Sequence, residues 1–253
     1  MSIRCIDLSL PLENYSMDRD SPHIFYWDHH EGGRRTAKNH GFDPDQIPDG
    51  FGLSAEDVTL NTHTGTHLDA PWHYGPTVGD KRAYGIDEVP LEWCFSDGVV
   101  LDLSHKKAGE LITAQDVEKA TRAIDYRIKP LDIVMIRTDA AQRYRKADFM
   151  TCQPGMGRES TLWLLDQGVK VCGIDAWSFD RPLALMREDL KAGHPEAFLP
   201  AHRVGREREY CHVEKLANLH VLPRPFGFKV SVFPVKIARA SGAWCRAVAI
   251  LDE

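Results

Sequence analysis

The sequence has no run of about 18 apolar residues, the length that a membrane-spanning helix requires. Its N-terminus also lacks the apolar core and the small-residue cleavage site of a signal peptide, because charged residues interrupt the first apolar stretch. With a formal net charge of -6, the chain has no excess of basic residues to attract nucleic acid or an anionic membrane. We therefore expect a cytoplasmic protein that binds a small molecule and neither nucleic acid nor membrane.

Several motifs of covalent and nucleotide chemistry are also missing. The six cysteines show no Cys-x-x-Cys spacing, which predicts reduced thiols rather than a disulfide framework or a cysteine-based zinc site. No Gly-x-Ser-x-Gly elbow occurs, and none of the cysteines has an activating context, so a serine or cysteine nucleophile has little support. No glycine-rich loop precedes a lysine at phosphate-binding spacing, which argues against nucleotide binding.

What the chain does contain is an alternation of β-branched apolar runs with amphipathic stretches. Residues 3–12 are predicted to form a first strand followed by a loop bounded by proline. The other predicted strands are 97–104, 132–139, 170–178, 228–238 and 244–253, and the predicted helices are 113–124, 158–169 and 212–219. Thr113 is the expected N-cap of the first helix, and Gly168 the expected C-cap of the second. This order predicts an α/β fold in which residues 1–253 form a single domain, a mixed sheet with flanking helices.

One long segment shows no sustained period. Residues 20–56 carry isolated aromatics between Gly, Pro and Asp, which predicts a long loop region. Loops of this length in a compact domain often act as lids or oligomer contacts, and a solvated surface excursion is the alternative.

The segment "HTGTHLDAPWH" gathers three histidines and one aspartate within residues 63–73. Its threonines, its central glycine and its proline favour an extended chain over a helix. Side chains alternate along an extended chain, so His63, His67 and Asp69 share one face, with Gly65 leaving space between the two histidines. Two imidazoles and a carboxylate predict a divalent-ion site suited to zinc, manganese or iron. The alternative is a polar strand edge with its histidines hydrogen-bonded to threonines.

His73 follows Pro71, where the chain must turn away from the strand direction. We therefore expect it to lie near the ion without binding it, as a general acid or base does.

The pattern His-x-Gly-Thr-His-x-Asp-x-Pro-x-His resembles the signature of the cyclase and bacterial kynurenine formamidase family of metal-dependent hydrolases, which includes isatin hydrolases. The stretches "DLSLPL", "IRTD" and "GIDAWSFD" also resemble family landmarks, so the resemblance covers nearly the whole chain. It implies a swivelling β/β/α architecture. It further implies that His63, His67 and Asp69 hold one ion and that His73 transfers protons.

The resemblance also implies a second ion, bound by Asp69, His202 and Glu214, the latter two twelve residues apart as in the family. The residues alone favour a different interpretation, in which His202 is a loop histidine and Glu214 an exposed acid on a helix. His212 is a rival ligand, but residues i and i+2 of a helix face apart, so we do not expect His212 and Glu214 to reach one ion.

Two further positions are suggested by the family landmark at 173–180. Asp175 and Ser178 are expected near the site, where they would orient the metal ligands. A turn that merely ends the strand explains them equally well.

The resemblance implies hydrolysis of a non-peptide carbon–nitrogen bond, in a cyclic amide or an N-acyl group of a small aromatic molecule, by a water that one or two zinc or manganese ions activate. A lactone hydrolase and a polyketide-type cyclase could use the same site, and a non-catalytic metal-stabilised binding protein is a third possibility. Formamidases carry a tryptophan in an early loop where Met17, near Tyr15, stands in this chain, which argues against N-formylkynurenine as the substrate.

The family also implies a homodimer or homotetramer whose subunits help to enclose the site. Trp72, Trp27 and Tyr26 are the candidate substrate-binding residues, with Phe25 beside them, and core packing is the alternative role for these aromatics.

Overall fold

The computed structural model describes residues 2–14 and 21–252, and Met17 and Tyr15 lie outside these ranges. The strands are β1 (Ile3–Asp7), β2 (His23–Trp27), β3 (Ala55–Thr59), β4 (His67–Asp69), β5 (Thr77–Val78), β6 (Lys81–Arg82), β7 (Phe95–Asp102), β8 (Leu111–Ile112), β9 (Ile133–Arg137), β10 (Gly155–Met156), β11 (Val171–Ile174), β12 (Cys211–Glu214), β13 (Phe228–Ser231), β14 (Gly242–Trp244) and β15 (Val248–Asp252). The helices are α1 (His29–His40), α2 (Pro71–Tyr74), α3 (Ala114–Ala123), α4 (Arg158–Asp166), α5 (Leu183–Lys191) and α6 (Pro200–Val204).

A curled nine-stranded sheet organises the fold, in the order β1-β15-β13-β7-β9-β11-β12-β4-β14. The neighbouring strands β7, β9, β11 and β12 run parallel, and the strands on either side of them pair antiparallel. The parallel strands are connected through helices and are buried on both faces, which explains their nearly continuous apolar sequences. The predicted mixed α/β class is confirmed.

Two cores lie on opposite faces of this sheet. Along β9, Ile133 and Met135 enter one core, which the terminal antiparallel strands complete. Val134 and Ile136 alternate with them and enter the other core, which α3, α4 and α6 cover. The metal-binding candidates described below lie on the helical side, where β12 and β4 meet.

Most elements predicted from the sequence are present with shifted ends. Thr113 caps α3 by accepting the backbone N–H of Asp116, whose carboxylate accepts the N–H of Thr113 in return. The second predicted helix ends at Asp166, and Gly168 follows with a positive φ of 89°. The predicted terminal strands pair as β13 and β15.

The predicted loop at 20–56 is wrong, since the segment contains β2 and the 12-residue helix α1, and β3, the antiparallel partner of β2, begins at its end. Asp28 caps this helix by accepting the backbone N–H of Glu31. Gly32 and Gly33 lie so close to the backbone of residues 50–53 that a Cβ atom would collide with it. These glycines interrupt the helical pattern in the sequence, and tertiary packing outweighs their low helix propensity.

The predicted helix at 212–219 is also wrong, because residues 211–214 form β12. This strand lies between β11 and β4, and its hydrogen bonds to both neighbours satisfy its backbone. The apolar spacing of the short segment does not distinguish a helix from a buried strand.

Candidate metal centre

The motif that begins at His63 is not one extended strand. Residues 62–66 form a turn in which Gly65 has a φ of 64°, and only His67–Asp69 pair as β4. A side chain at position 65 would be strained by this φ and would also collide with Leu12. The glycine is therefore required by the turn, and the turn brings His63 back towards Asp69.

His63 and His67 converge on the same carboxylate oxygen. Nδ1 of His63 lies 2.7 Å and Nε2 of His67 lies 3.2 Å from Oδ1 of Asp69. The opposite nitrogen of each ring is held by a neighbour, since Nε2 of His63 is 2.9 Å from Ser241 Oγ and Nδ1 of His67 is 2.8 Å from the Gly65 carbonyl oxygen. The structure brings the first predicted ligand set together.

His73 lies on the four-residue helix α2, whose first residue is Pro71. Its ring centroid is 4.1 Å from that of His63, and its Nε2 is 3.8 Å from Oδ2 of Asp69. The His73 side chain is 33% exposed, against 1% for that of His67, so His73 lies on the open side of the cluster. This distance from the carboxylate is compatible with metal binding and with proton transfer.

The second predicted ligand set comes from distant parts of the chain. His202 on α6 directs Nε2 to within 3.8 Å of Asp69 Oδ2 and 3.6 Å of Glu214 Oε1. Glu214 is 7% exposed, so its interpretation as a solvated acid on a helix is wrong. Because Glu214 ends β12 directly opposite His67 on the antiparallel strand β4, the two side chains lie on the same face.

His212 is a ligand candidate that the sequence analysis placed on the wrong element. On a strand, residues i and i+2 share one face, so His212 and Glu214 point to the same side of β12. His212 pairs directly with Asp69 on β4, and its Nε2 lies 2.9 Å from Asp69 Oδ2 and 3.5 Å from Glu214 Oε1. The expectation that His212 and Glu214 could not reach one ion is wrong.

The loop that follows β11 supports this half of the cluster. Ser178 Oγ and the backbone N–H of Phe179 donate to Oε1 of Glu214, at 3.2 and 2.7 Å. Asp180 binds Nδ1 of His202 and accepts the backbone N–H of Ala201 at 2.8 Å. Ser178 therefore has the predicted position, and Asp180 is a supporting residue that the sequence analysis missed.

The hydrogen bonds of Asp175 are made to residues outside the cluster. Its carboxylate accepts the backbone N–H and the hydroxyl of Thr138, both at 2.6 Å, and the N–H of Asp139 at 2.9 Å. Burial raises the pKa of Asp175 to about 6, although these hydrogen bonds act to lower it. This residue fixes the start of the loop to the end of β9.

The charges of the cluster are strongly perturbed. Although burial favours the neutral acids, surrounding imidazoles hold the pKa of Asp69 well below its usual range, and His212 and His202 lower the pKa of Glu214 to about 2. Burial opposes the charged form of His212 too, but Asp69 and Glu214 raise its pKa to about 9. Burial, together with the neighbouring histidines, lowers the pKa of His73 to about 4. The ionised carboxylates of Asp69 and Glu214 therefore favour positive charge at the centre of the cluster.

The buried polar atoms test whether this donor set fits a metal ion. Within residues 2–14 and 21–252, Nε2 of His67, Oδ2 of Asp69 and Nε2 of His212 are buried without a hydrogen-bond partner, although all three face the centre of the cluster. Unpaired buried polar atoms are costly, and divalent ions bind these imidazole and carboxylate donors. The cluster is able to hold a metal, as predicted.

The predicted aromatic residues lie in two places. Trp72 precedes His73 on α2 and is 43% exposed. Tyr26 and Trp27 lie on β2; Tyr26 is exposed, and the guanidinium of Arg35 covers the Trp27 ring at 3.5 Å. Within residues 2–14 and 21–252, Trp72, Tyr26 and Trp27 make no hydrogen bond or ring contact with the cluster, so their role in substrate binding stays a prediction.

The chain is similar in sequence to known proteins. The model of the family described as "Putative cyclase" matches residues 6–181. The isatin hydrolase of Roseibium aggregatum is 28% identical over 207 residues, which cover 78% of this chain and 74% of that protein. The kynurenine formamidase of Geobacillus thermodenitrificans is 28% identical over 196 residues, which cover 75% of this chain and 77% of that protein.

A solved structure supports the fold. An isatin hydrolase bound to the product analogue thioisatinate superposes with a TM-score of 0.78 at 23% identity, covering 99% of this chain and 93% of the other. The two named relatives are hydrolases that act on carbon–nitrogen bonds other than peptide bonds, the enzyme class that was predicted. None of the helices in the described part of the chain is both long and apolar enough to cross a membrane.

Proposed function

The chain belongs to the putative cyclase family, and we propose that it is a metal-dependent hydrolase of a non-peptide amide in a small aromatic molecule. The observation that carries this proposal is the convergence of His63, His67 and Asp69 on one point, with His73 on the open side. The named relatives, an isatin hydrolase and a kynurenine formamidase, support the bond class.

A divalent ion bound by these residues would lower the pKa of water towards neutrality and polarise a carbonyl oxygen. Zinc and manganese both suit the nitrogen and oxygen donors, and His202 and Glu214 are the further ligands for a second ion. Asp69 contributes to both ligand sets because Oδ1 faces His63 and His67 while Oδ2 faces His202 and His212.

His73 is the residue that moves the proton. With a pKa lowered to about 4, it is neutral at pH 7 and can accept a proton at Nε2, the nitrogen that faces the cluster. In amide hydrolysis the oxygen of water bonds to the carbonyl carbon, the carbon–nitrogen bond breaks, and the leaving nitrogen takes up a proton. The partial exposure of His73 leaves room for the leaving group beside it.

The substrate enters from the side of His73, because the other faces of the cluster are closed by β12, α6 and the loop after β11. Trp72, next to His73 on α2, is exposed, and we propose that it packs against the ring of the substrate. A homodimer or homotetramer and a cytoplasmic location stay predictions.

The proposal is tested by measuring acid release in weak buffer from isatin, N-formylkynurenine, aryl amides and simple lactones, with and without a chelator. We expect chelator-sensitive turnover of an amide or lactam, restored by zinc or manganese. Turnover of lactones alone would mean that the enzyme hydrolyses an ester bond and not an amide. Metal binding without turnover of any compound would favour the cyclase or binding-protein alternatives. The exposed-histidine variant His220→Phe serves as the control for preparation and loading.

A further inference from the structure

The two ring nitrogens of the fully buried His212 face different surroundings. Nδ1 lies 3.2 Å from the hydroxyl of Tyr74 and 3.3 Å from the hydroxyl of Tyr210. Nε2 lies on the other side of the ring, 2.9 Å from Asp69 Oδ2 and 3.5 Å from Glu214 Oε1. One nitrogen therefore faces two phenols, and the other faces two carboxylates.

The phenols determine which nitrogen carries the proton. Tyr210 donates its hydroxyl proton to the Ala201 carbonyl oxygen at 2.8 Å. Tyr74 accepts the backbone N–H of His212 at 3.1 Å, and its own proton is directed to the Asp69 carbonyl oxygen at 3.5 Å. Because its own proton is committed to Ala201, the Tyr210 oxygen presents a lone pair to Nδ1, which makes Nδ1 the donor. Nε2, on the other side of the ring, is then the nitrogen that can bind an ion once it carries no proton.

Nε2 of His212 is aimed at carboxylate oxygens of Asp69 and Glu214. Among the residues that the structure describes, neither Nε2 of His212 nor Oδ2 of Asp69 has a hydrogen-bond partner, although the two atoms are only 2.9 Å apart. Because the neutral imidazole and the carboxylate are both acceptors, they attract each other only if a positive charge, a proton or a metal ion, lies between them. A cation at this position satisfies all of them together.

His202 has the same arrangement on the opposite side. Its Nδ1 is held by Asp180, which leaves Nε2 for the cluster. Donor atoms of Asp69, His202, His212 and Glu214 all lie within 4.8 Å of one another, and all four residues are buried. Four protein donors on one ion complete a tetrahedral site.

We infer that His212 is a fourth protein ligand of the second ion, in addition to the three that the resemblance implies, and that this ion position is therefore closed. The inference rests on the proposed function. It gives the two ligand sets of that function different numbers of protein ligands. The set formed by His63, His67 and Asp69 has three protein ligands and an open side at His73, as catalytic sites do. The closed position fixes a charge and holds Asp69, and the open one meets the substrate.

The first test counts metal ions in the variant His212→Phe, which keeps an aromatic ring against Phe179 but has no donor nitrogen. After loading with zinc and dialysis, elemental analysis should show two ions per chain in the wild type and one in the variant. His220→Phe, at an exposed position in a following turn, should keep both ions. Two tightly held ions in His212→Phe would overturn the inference.

The second test needs no substitution at His212. In a zinc-loaded crystal of the wild-type protein, anomalous density should lie about 2.0–2.1 Å from Nε2 of His212, the usual zinc–nitrogen distance. An ion bound by Asp69, His202 and Glu214 but not by His212 would overturn the inference even if His212→Phe fails to fold.

Tyr210→Phe tests the fixed tautomer separately, because it removes one lone pair that Nδ1 of His212 faces. We expect affinity for the second zinc ion to fall about 10- to 100-fold, as for the loss of other residues that orient ligands, while the first ion is retained. Unchanged affinity would contradict the role of Tyr210.

The outcomes separate this inference from the proposed function. Chelator-sensitive hydrolysis by a protein whose second ion does not bind His212 would retain the function and reject the inference. A four-ligand zinc position in a protein that hydrolyses no amide or lactone would do the reverse.

Discussion

The two halves of the metal cluster are built in different ways. The motif half, His63 to His73, comes from eleven consecutive residues that make a turn, a short strand and a short helix. The dispersed half combines His202 on α6 with His212 and Glu214 on β12, and a separate loop supports it. Asp69 joins the halves through its two oxygens. The motif half is the more exposed, so the halves also differ in their access to substrate.

The difference teaches that a compact sequence motif reveals only the part of a site whose geometry is local. His67 and Asp69 are adjacent on a strand because they are two residues apart. His212 reaches the same centre only because β12 pairs with β4 in a register that sets it against Asp69.

The largest loss of activity should come from substituting Asp69, the residue that both halves share. Asp69→Asn keeps the shape of the side chain but removes the charge that faces five histidines. We expect loss of both ions and a fall in turnover of about 1,000-fold or more, because metal-ion stabilisation of the transition state contributes several kcal/mol. Elemental analysis and initial rates measure this, with Asp57→Asn on the exposed strand β3 as the matched control. A variant that still holds two ions would show that the halves do not depend on a common carboxylate.

Substituting His73, the proposed proton carrier, should reduce turnover without reducing metal binding in the motif half. His73→Ala is expected to keep its metal content and to lose turnover about 100- to 10,000-fold, the range for a general acid or base. Turnover and metal content are measured on the same preparation. Full activity would assign proton transfer elsewhere, and loss of one ion would make His73 a ligand.

Asp175, which holds the start of the loop that supports the dispersed half, should make the free energy of unfolding depend on pH. The folded-state pKa of Asp175 is raised to about 6 from an ordinary 3.8, so the native state binds this proton more tightly than the unfolded state. Its protonation therefore stabilises the fold as pH falls from 7 to 4, by at most about 3 kcal/mol, and this contribution disappears as pH rises through 6.

Urea unfolding of wild type and Asp175→Asn at pH 4.5 and 7.5 measures this contribution. The difference in unfolding free energy, wild type minus variant, should be larger at pH 4.5, because only the wild type takes up the proton. A difference that is equal at both pH values would mean that the carboxyl titrates normally.

The smallest effect should come from loosening one ligand of the dispersed half. Asp180→Asn replaces the acceptor at Nδ1 of His202 with an amide that still fits the loop. We expect affinity for the second ion to fall about 10- to 100-fold while the first ion is retained. Zinc titration monitored by calorimetry checks this, with Ser178→Ala as a milder change in the same loop. Equal weakening of both ions would show that the loop supports the whole cluster rather than one half.

Sequence reasoning predicted much of the fold because local preferences and tertiary packing agree there. Thr113 and Asp116 start α3 as their capping pattern predicts, and the β-branched runs of β7 and β9 are buried as the sheet requires. It failed where packing outweighs local preference. Gly32 and Gly33 weaken α1 as an isolated helix, yet their small size permits the backbone contact that holds it in place.

The sequence alone determined the motif half of the site: its residue types, their spacing, the glycine at the turn and the divalent ion that they suit. The resemblance added the spacing of His202 and Glu214. Only the tertiary structure decided that residues 211–214 form a strand, that His212 joins the centre, and that Asp180 orients His202. The physical reason is that strand pairing fixes which residues lie opposite one another, and that register depends on contacts between segments more than a hundred residues apart.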